Sequence, residues 1–404
     1  MLCGLLGKCL GHSLSPRLHA LFGDYEYRLF ERTEQELPAL LCGGDLRGLN
    51  VTVPYKQTVL SFCDTLSGTV RAVGSANTLL FENGSILAEN TDVYGFSRLL
   101  DRERIAVCGK KALILGSGGA SKAVQYVLRS RGAEVTVISR NGENNYVNLS
   151  KHADATLTVN ATPVGMYPDN GTAPLDLSVL PHCETVIDLI YNPMKTALLQ
   201  QAEARGMRAV NGLYMLAAQA KRASELFQNK PLPDGLTEQA YRTLLAQTEN
   251  ILLIGMPSCG KTTVGGLLAE ELGRPFFDSD AVFEERYGQT PADCLRQCGE
   301  SVFRTRETSV LKDLCKQIGC VIATGGGAVT VPENLPLLRQ NGRLVYLERP
   351  LAELTAQGRP LSQLDGIDAL AAQRLPLYRN WADVAVREPS PQEAVKKIRE
   401  VLSL

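Results

Sequence analysis

An α/β protein built on parallel sheets is the fold class this sequence predicts, and three observations carry the prediction. Apolar runs of four to six residues alternate with helical patterns through most of the 404 residues. The runs are continuous rather than alternating, which implies burial on both faces and hence strands of parallel sheets. Two glycine-rich loops each sit where such a run hands over to a helix. They are Gly116-Ser117-Gly118-Gly119-Ala120-Ser121 after Ala112 to Leu115, and Gly255-Met256-Pro257-Ser258-Cys259-Gly260-Lys261-Thr262 after Ile251 to Ile254. At such a junction, backbone N–H groups and the positive end of the helix hold a phosphate.

Strands are expected at Lys111–Leu115, Glu134–Ile138, Thr156–Asn160, Thr185–Leu189, Ile251–Ile254, Val321–Thr324 and Leu344–Leu347. A length of 404 residues predicts two or three domains. The first lobe spans 1–95, a dinucleotide lobe spans 96–212, and helices over about 213–246 return to complete the first lobe. The Pro/Gly stretch Gln228–Gly235 resembles a linker, but Leu236 to Ala246 reads as a further helix, which moves the joint to 247–250. The last domain occupies 251–404.

Composition narrows the class. A net charge of −1 gives no global field to recruit nucleic acid or an anionic membrane. No apolar run approaches the roughly 18 residues a membrane span requires, and Met1-Leu2-Cys3-Gly4-Leu5 runs into a glycine–histidine loop rather than a signal peptide. Eleven cysteines include no C-x-x-C, and the four histidines do not cluster near the closest pairs, Cys294/Cys298 and Cys315/Cys320. Reduced, mostly buried thiols in a cytoplasmic protein follow. Cys259, inside the second loop, reads as a small filler or as an oxidation-sensitive thiol at a helix start.

In the N-terminal half, strand, G-x-G-G-A and helix bring Gly116, Gly118, Gly119 and Ala120 close to a pyrophosphate. The next strand ends in Ser139-Arg140. A hydroxyl and a guanidinium, where NAD would ask for a carboxylate, suit a 2′-phosphate and favour NADP; the plain alternative is a solvated arginine. Upstream, Gly11-His12-Ser13-Leu14-Ser15-Pro16 places two hydroxyls ahead of a helix. Asn50-Val51-Thr52-Val53-Pro54-Tyr55-Lys56, Ala76-Asn77-Thr78 and Asn90-Thr91-Asp92 add hydroxyls, amides, a lysine and a carboxylate, a set suited to a small polyhydroxylated acid.

These motifs, with Asn160-Ala161-Thr162-Pro163-Val164-Gly165-Met166, Asp188-Leu189-Ile190-Tyr191-Asn192-Pro193 and Gly212-Leu213-Tyr214-Met215-Leu216-Ala217-Ala218-Gln219, make the half resemble shikimate dehydrogenase. The resemblance implies that Ser13, Ser15, Thr52, Lys56, Asn77, Asp92, Tyr191 and Gln219 bind shikimate, that Lys56 and Asp92 form the catalytic pair, and that Gly212 joins the NADP(H) site. After Arg140 only Asn141 to Leu157 precede N-A-T-P, where the family usually has another helix and strand. The adenine side of the cleft is expected to be thinner.

The second loop satisfies G-x-x-x-x-G-K-T. Gly255, Ser258, Gly260, Lys261, Thr262 and Thr263 would cradle ATP, with Lys261 on the β/γ-phosphates and the Thr262 hydroxyl on Mg²⁺. Asp278 and Asp280 are read as alternate residues of an extended segment, one for metal and one for a substrate hydroxyl. Adding Gly299–Glu307, Gly325-Gly326-Gly327, Arg359-Pro360-Leu361 and Arg374–Tyr378, residues 250–404 resemble shikimate kinase. That implies Asp280, Arg304, Arg374 and the triple glycine on shikimate, Arg359 on a lid over the phosphates, Asp278 with Thr262 on magnesium, Lys261 and Asp280 as catalytic residues, and Glu307 orienting Arg304.

Together the resemblances imply a two-lobed dehydrogenase, with an α/β substrate lobe and a Rossmann-like NADP lobe, followed by a P-loop kinase domain. The expected reactions are NADPH-dependent reduction of 3-dehydroshikimate and ATP-dependent phosphorylation of shikimate. The expected partners are small molecules, with neither nucleic acid nor membrane among them, and no oligomeric state is legible. A ligand-sensing regulator of the same ancestry would lack catalytic residues, yet Lys56, Asp92, Lys261 and Asp280 are all present. Quinate, NAD or another polyol acid remain alternative substrates to be separated by assay.

Overall fold

The structure is a computed structural model that describes residues 1–11, 13–354 and 366–404; Arg359 lies outside the described residues. Packing divides the chain into two units: Met1–Gly165, Thr172–Tyr191 and Leu198–Leu244 form the first, and Met166–Gly171, Asn192–Ala197 and Leu245–Leu404 the second.

The first unit holds two sheets. Strands β1 (Leu2–Gly7), β2 (Glu26–Glu31), β3 (Leu46–Val51), β4 (Thr65–Leu66), β5 (Thr78–Glu82) and β6 (Ser85–Glu89) are ordered β2-β1-β3-β5-β6-β4, with helices α1 (Ser15–Phe22), α2 (Leu37–Leu41), α3 (Gly68–Val73) and α4 (Thr91–Arg102) in the connections. This sheet corrects the expectation of wholly parallel strands, because β5 runs antiparallel to both β3 and β6. The cause is the two-residue turn Asn83-Gly84, where both residues take positive φ (51° and 78°), the backbone a tight hairpin demands.

The second sheet is parallel throughout. It comprises β7 (Lys111–Leu115), β8 (Glu134–Ile138), β9 (Leu157–Asn160), β10 (Thr185–Asp188) and β11 (Arg208–Asn211) in the order β11-β10-β9-β7-β8, with α5 (Gly119–Ser130) and α6 (Ala197–Ala204) between strands. Only a 3₁₀ turn at Leu149–His152 bridges β8 to β9, in keeping with the short segment expected there. Helix α7 (Leu213–Gln228) then returns to the first sheet, where Ala223 and Phe227 pack on Cys3 and Leu80. Helix α8 (Gly235–Thr248) follows, and β12 opens at Asn250, so the span 247–250 is a helix end and a strand start with Glu249 between them.

The second unit is built on a parallel sheet: β12 (Asn250–Ile254), β13 (Phe276–Asp278), β14 (Val321–Ala323), β15 (Gly342–Leu347) and β16 (Val384–Val386), ordered β13-β14-β12-β15-β16. Its helices are α9 (Lys261–Leu272), α10 (Ser279–Tyr287), α11 (Pro291–Leu314, broken at Gly299), α12 (Asn334–Arg339), α13 (Ile367–Trp381) and α14 (Pro391–Leu402). Ile251, Leu253, Val321, Ile322 and Val345, all 2% exposed or less, form its centre.

One buried group in the first unit sets a pH dependence. His19 is 1% exposed, its ring stacks on Tyr27 with centroids 4.0 Å apart, and Nδ1 meets the Tyr25 hydroxyl at 2.6 Å. Tyr25 donates its proton to Ser224 Oγ at 2.7 Å, so the imidazole supplies the proton of the His19–Tyr25 bond. Burial lowers the His19 pKa from 6.5 to about 3. The folded value lies below the unfolded one, so its stabilising contribution is complete above pH 6.5 and drains away as pH falls. About 2 kcal/mol should be lost by pH 5. Urea unfolding of the first unit should therefore show a shallower slope between pH 6.5 and 5 in His19→Gln; an unchanged slope would exclude His19 as the source.

Candidate active sites

The first site forms at one end of the first sheet. Because β1 and β3 are parallel neighbours, the segments that leave their C-terminal ends begin side by side, Gly7 against Thr52. Antiparallel β5 places Thr78 beside Asn50 and Glu89, which brings Asn77 and Asn90-Thr91-Asp92 to the same end. Asn90 caps α4 by accepting from the Val93 N–H, and Asp92 falls in the first turn, where the helix dipole favours a carboxylate.

Lys56 and Asp92, 36 positions apart in sequence, meet here: Lys56 Nζ donates to Asp92 Oδ2 at 2.6 Å, with the side chains 15% and 8% exposed. Asn77 Nδ2 donates to Asp92 Oδ1 and to Thr91 Oγ1, both at 2.9 Å, while the Thr91 N–H donates to Asn77 Oδ1 at 2.6 Å. Gln219, from α7, places Oε1 3.3 Å from Asn77 Nδ2. Both carboxylate oxygens are thus occupied, the condition under which a shielded ion pair offsets its desolvation. Ser13 Oγ accepts from the Ser15 N–H at 3.2 Å, and the Tyr27 hydroxyl donates to Asn50 Oδ1 at 2.8 Å nearby. The Thr52 N–H donates to Leu6 O at 2.9 Å. Tyr191 follows β10, and burial raises its phenol pKa; among the described residues no hydrogen bond ties it to the Lys56–Asp92 pair.

The first glycine loop lies against this pair. Gly116 has φ +100°, and Gly118 caps α5 without a side-chain acceptor, leaving the N–H groups of the first turn, including that of Ala120, open to a ligand. A Cβ on Gly118 would touch nothing within 4 Å, whereas one on Gly119 would lie 3.1 Å from Lys56 Cβ and Cδ. The loop therefore has room for a phosphate at Gly118 and reaches the lysine stem through bare backbone at Gly119. Ser139 follows β8, and Arg140 is exposed, with no ion pair among the described residues. A free guanidinium there fits a 2′-phosphate. Gly212 also has a packing reason: a Cβ would overlap the Leu189 carbonyl.

The second site lies at the C-terminal ends of β12, β13 and β14. Ser258 (φ 66°) and Gly260 (φ 96°) wind the second loop, and Lys261 folds back under it, Nζ donating to the carbonyls of Gly255 and Met256 at 2.9 Å each. Thr263 is exposed in the first turn of α9. Cys259 is 2% exposed against Gly255, which identifies it as the loop filler. The Thr262 hydroxyl donates to Asp278 Oδ2 at 2.5 Å, so a hydroxyl and a carboxylate oxygen converge as hard ligands suited to magnesium.

Asp280 departs from the reading of an extended segment. Asp278 ends β13 and caps α10 by accepting from the Asp280 N–H at 2.9 Å, so Asp280 projects from a helical turn. Around it, Glu307 is 3% exposed, and burial raises its pKa even though Arg304 Nη1 donates to Glu307 Oε2 at 2.7 Å. Arg304 also reaches Glu300 at 3.1 Å. A Cβ on Gly325 would overlap Glu307, and one on Gly327 would overlap the Arg304 guanidinium. Gly326 O accepts from the Tyr378 hydroxyl. Arg374 is 3% exposed, its Nε has no hydrogen-bond partner among the described residues, and burial lowers its pKa. An incompletely paired guanidinium out of water fits an incoming carboxylate. Sequence reading did not find Thr91 or Tyr378 as site partners, and only their neighbouring motifs pointed toward them.

Two family models match the chain: the shikimate dehydrogenase substrate binding domain over residues 5–79 and shikimate kinase over residues 257–403. A shikimate dehydrogenase (NADP(+)) of Clostridium perfringens is 32% identical over 266 residues, which cover 60% of this chain and 98% of the relative. Among solved structures, shikimate dehydrogenase 1 from Peptoclostridium difficile is 34% identical with a TM-score of 0.57, covering 60% of this chain and 97% of that one. The Thermus thermophilus shikimate 5-dehydrogenase in complex with NADP(H) and shikimate is 33% identical with a TM-score of 0.56, covering 60% and 99%.

Proposed function

We propose that this chain, which belongs to the shikimate dehydrogenase family and continues into a shikimate kinase domain, reduces 3-dehydroshikimate with NADPH and phosphorylates the resulting shikimate on its 3-hydroxyl with ATP. One observation carries the reading of the first site: the Lys56–Asp92 pair, held by Asn77, stands against the backbone of the dinucleotide loop at Gly119. We divide the chain accordingly into a substrate lobe (1–95, completed by 213–246), an NADP lobe (96–212), a joint (247–250) and a kinase domain (251–404).

NADPH, when bound on Gly116–Ala120 with its 2′-phosphate at Ser139 and Arg140, supplies the hydride. Lys56 delivers the proton to the carbonyl oxygen that becomes the hydroxyl, and Asp92 keeps the ammonium aimed through its 2.6 Å hydrogen bond. Ser13, Ser15, Thr52, Asn77, Tyr191 and Gln219 orient the polyol acid. In the kinase, Arg304 and Arg374 clamp the carboxylate, Asp280 takes the proton of the 3-hydroxyl, and the triple glycine lets the ring approach. Magnesium held by Thr262 and Asp278 supplies charge neutralisation on the phosphates, and Lys261 adds to it from below the loop. Arg359 is assigned to the lid by motif alone. Eleven cysteines without a disulfide support a reducing, cytoplasmic setting, and no described helix is long and apolar enough to cross a membrane.

The test is a pair of assays on the intact protein. NADP⁺ reduction should require shikimate and proceed without ATP, and phosphorylation should require shikimate and proceed without NADP⁺. Preference for quinate or NAD⁺ in the first assay would overturn the substrate assignment. Gly327→Ala gives a local check on the clamp. The added methyl must displace Arg304, so KM for shikimate in phosphorylation should rise on the order of tenfold. The KM for shikimate in oxidation should stay as it was, and an unmoved kinase KM would count against the clamp.

A further inference from the structure

We propose that Ser75 is a positioning residue that latches the dinucleotide loop to the helix carrying Asp92, an inference resting on the NADP reading of the Gly116 loop. Ser75 is fully buried and has no place in the chemistry described above. The direction of each hydrogen bond around it can be worked out. Asn90 Oδ1 accepts from the Val93 N–H at 3.3 Å, which fixes the amide with Nδ2 turned the other way. That Nδ2 donates to Ser75 O at 2.8 Å and lies 3.4 Å from Ser75 Oγ. With its oxygen approached by a donor, the Ser75 hydroxyl points its own proton at Gly119 O, 3.3 Å away.

Gly119 is the first residue of α5, and its backbone also lies against the Lys56 stem. A second tether runs in parallel, since Lys122 Nζ, one turn along α5, is 3.5 Å from Gly74 O. The corner Gly74-Ser75 therefore grips the first turn of α5 twice. On its other side it is held by Asn90, the cap of α4, two residues before Asp92. Further along the same strap, the Ala76 N–H donates to Lys56 O at 2.8 Å. Phosphate-binding N–H groups and the catalytic ion pair are consequently tied to one short segment, residues 74–76. The far end of α5 is fixed independently, by Arg131 on Asp101 and Ser97 of α4 and by a shared apolar core, so the hydroxyl of Ser75 and the amine of Lys122 act on its first turn, at the cofactor end.

Ser75→Ala removes the latch and little else, because the change deletes one oxygen without adding volume. KM for NADPH should rise about two- to tenfold, the range expected for one neutral hydrogen bond, while KM for 3-dehydroshikimate stays unchanged. A purely structural role would instead lower the active fraction, reducing kcat with both KM values intact, and that result would overturn the latch. Phosphorylation by the same sample reports that the chain is folded. A wild-type protein with no NADPH-dependent activity would remove the NADP reading and the latch together. An active wild type with an unaltered NADPH KM in Ser75→Ala would remove the latch alone.

Discussion

Lys56→Ala is expected to lower NADPH-dependent reduction of 3-dehydroshikimate by about 10²–10⁴-fold, the range for losing a positioned acid–base group, while phosphorylation of shikimate continues at its wild-type rate. The size of the effect follows from the geometry. Lys56 is the cation on Asp92, 2.6 Å away, and its stem flanks Gly119, the residue at which the cofactor loop enters α5. Removing it takes away both the proton donor and the counter-charge of a carboxylate that is only 8% exposed. The loss should appear mainly in kcat, because the hydroxyl and amide contacts from Ser13, Ser15, Thr52, Asn77 and Gln219 remain to hold the ligand. Asp92→Asn offers a complementary variant: the amide keeps the shape but loses the counter-charge that orients Lys56, so it should lower kcat with little change in KM. If both activities fell together in Lys56→Ala, the two-site reading would fail. The same variant losing neither would fail it equally.

That pair was legible in the sequence because its two motifs carry recognisable residue types, even though 36 positions separate them. Strand Lys111–Leu115 was readable to the residue because its buried stretch leaves an unbroken apolar run with sharp ends; Glu134–Ile138, a partly buried edge strand, keeps the same predicted bounds through its β-branched residues. The antiparallel β5–β6 hairpin was not anticipated, although Asn83-Gly84 between two apolar runs is a strong turn signal. Asp280 was placed on a strand because period-two spacing from Asp278 was weighed without the capping preference of Asp278 itself, which starts a helix at Ser279. Other features have no local signature. The fit of Gly327 against Arg304 and the bond from Ser75 to Gly119 arise only when distant segments are folded together, and a serine or glycine in isolation predicts neither. Glu307 stands between these cases. Its helical spacing from Arg304 was visible, but the burial that raises its pKa was not.

Lys261→Ala is expected to reduce phosphorylation of shikimate by about 10²–10³-fold or more, the cost of removing one preorganised charge from a phosphoryl-transfer site, with dehydrogenase activity intact. Lys261 is 8% exposed, and its ammonium is already held by the carbonyls of Gly255 and Met256, so it stands beneath the loop before any nucleotide arrives. Little reorganisation is then required when phosphate oxygens approach the N–H groups of the loop, which is why its loss should weigh on the transition state rather than on folding. Truncation to alanine leaves the two buried carbonyls without their donor, and Lys261→Met preserves the volume of the stem as a control. The pairing of this variant with Lys56→Ala yields a sharper result than either alone. Supplied with 3-dehydroshikimate, NADPH and ATP, Lys261→Ala should accumulate shikimate and stop, while Lys56→Ala should consume nothing. An equimolar mixture should restore shikimate 3-phosphate, because shikimate released by one chain can enter the kinase of the other. Restoration requires that each reaction be complete within its own set of residues; phosphorylation surviving in Lys261→Ala would contradict the assignment of that lysine outright.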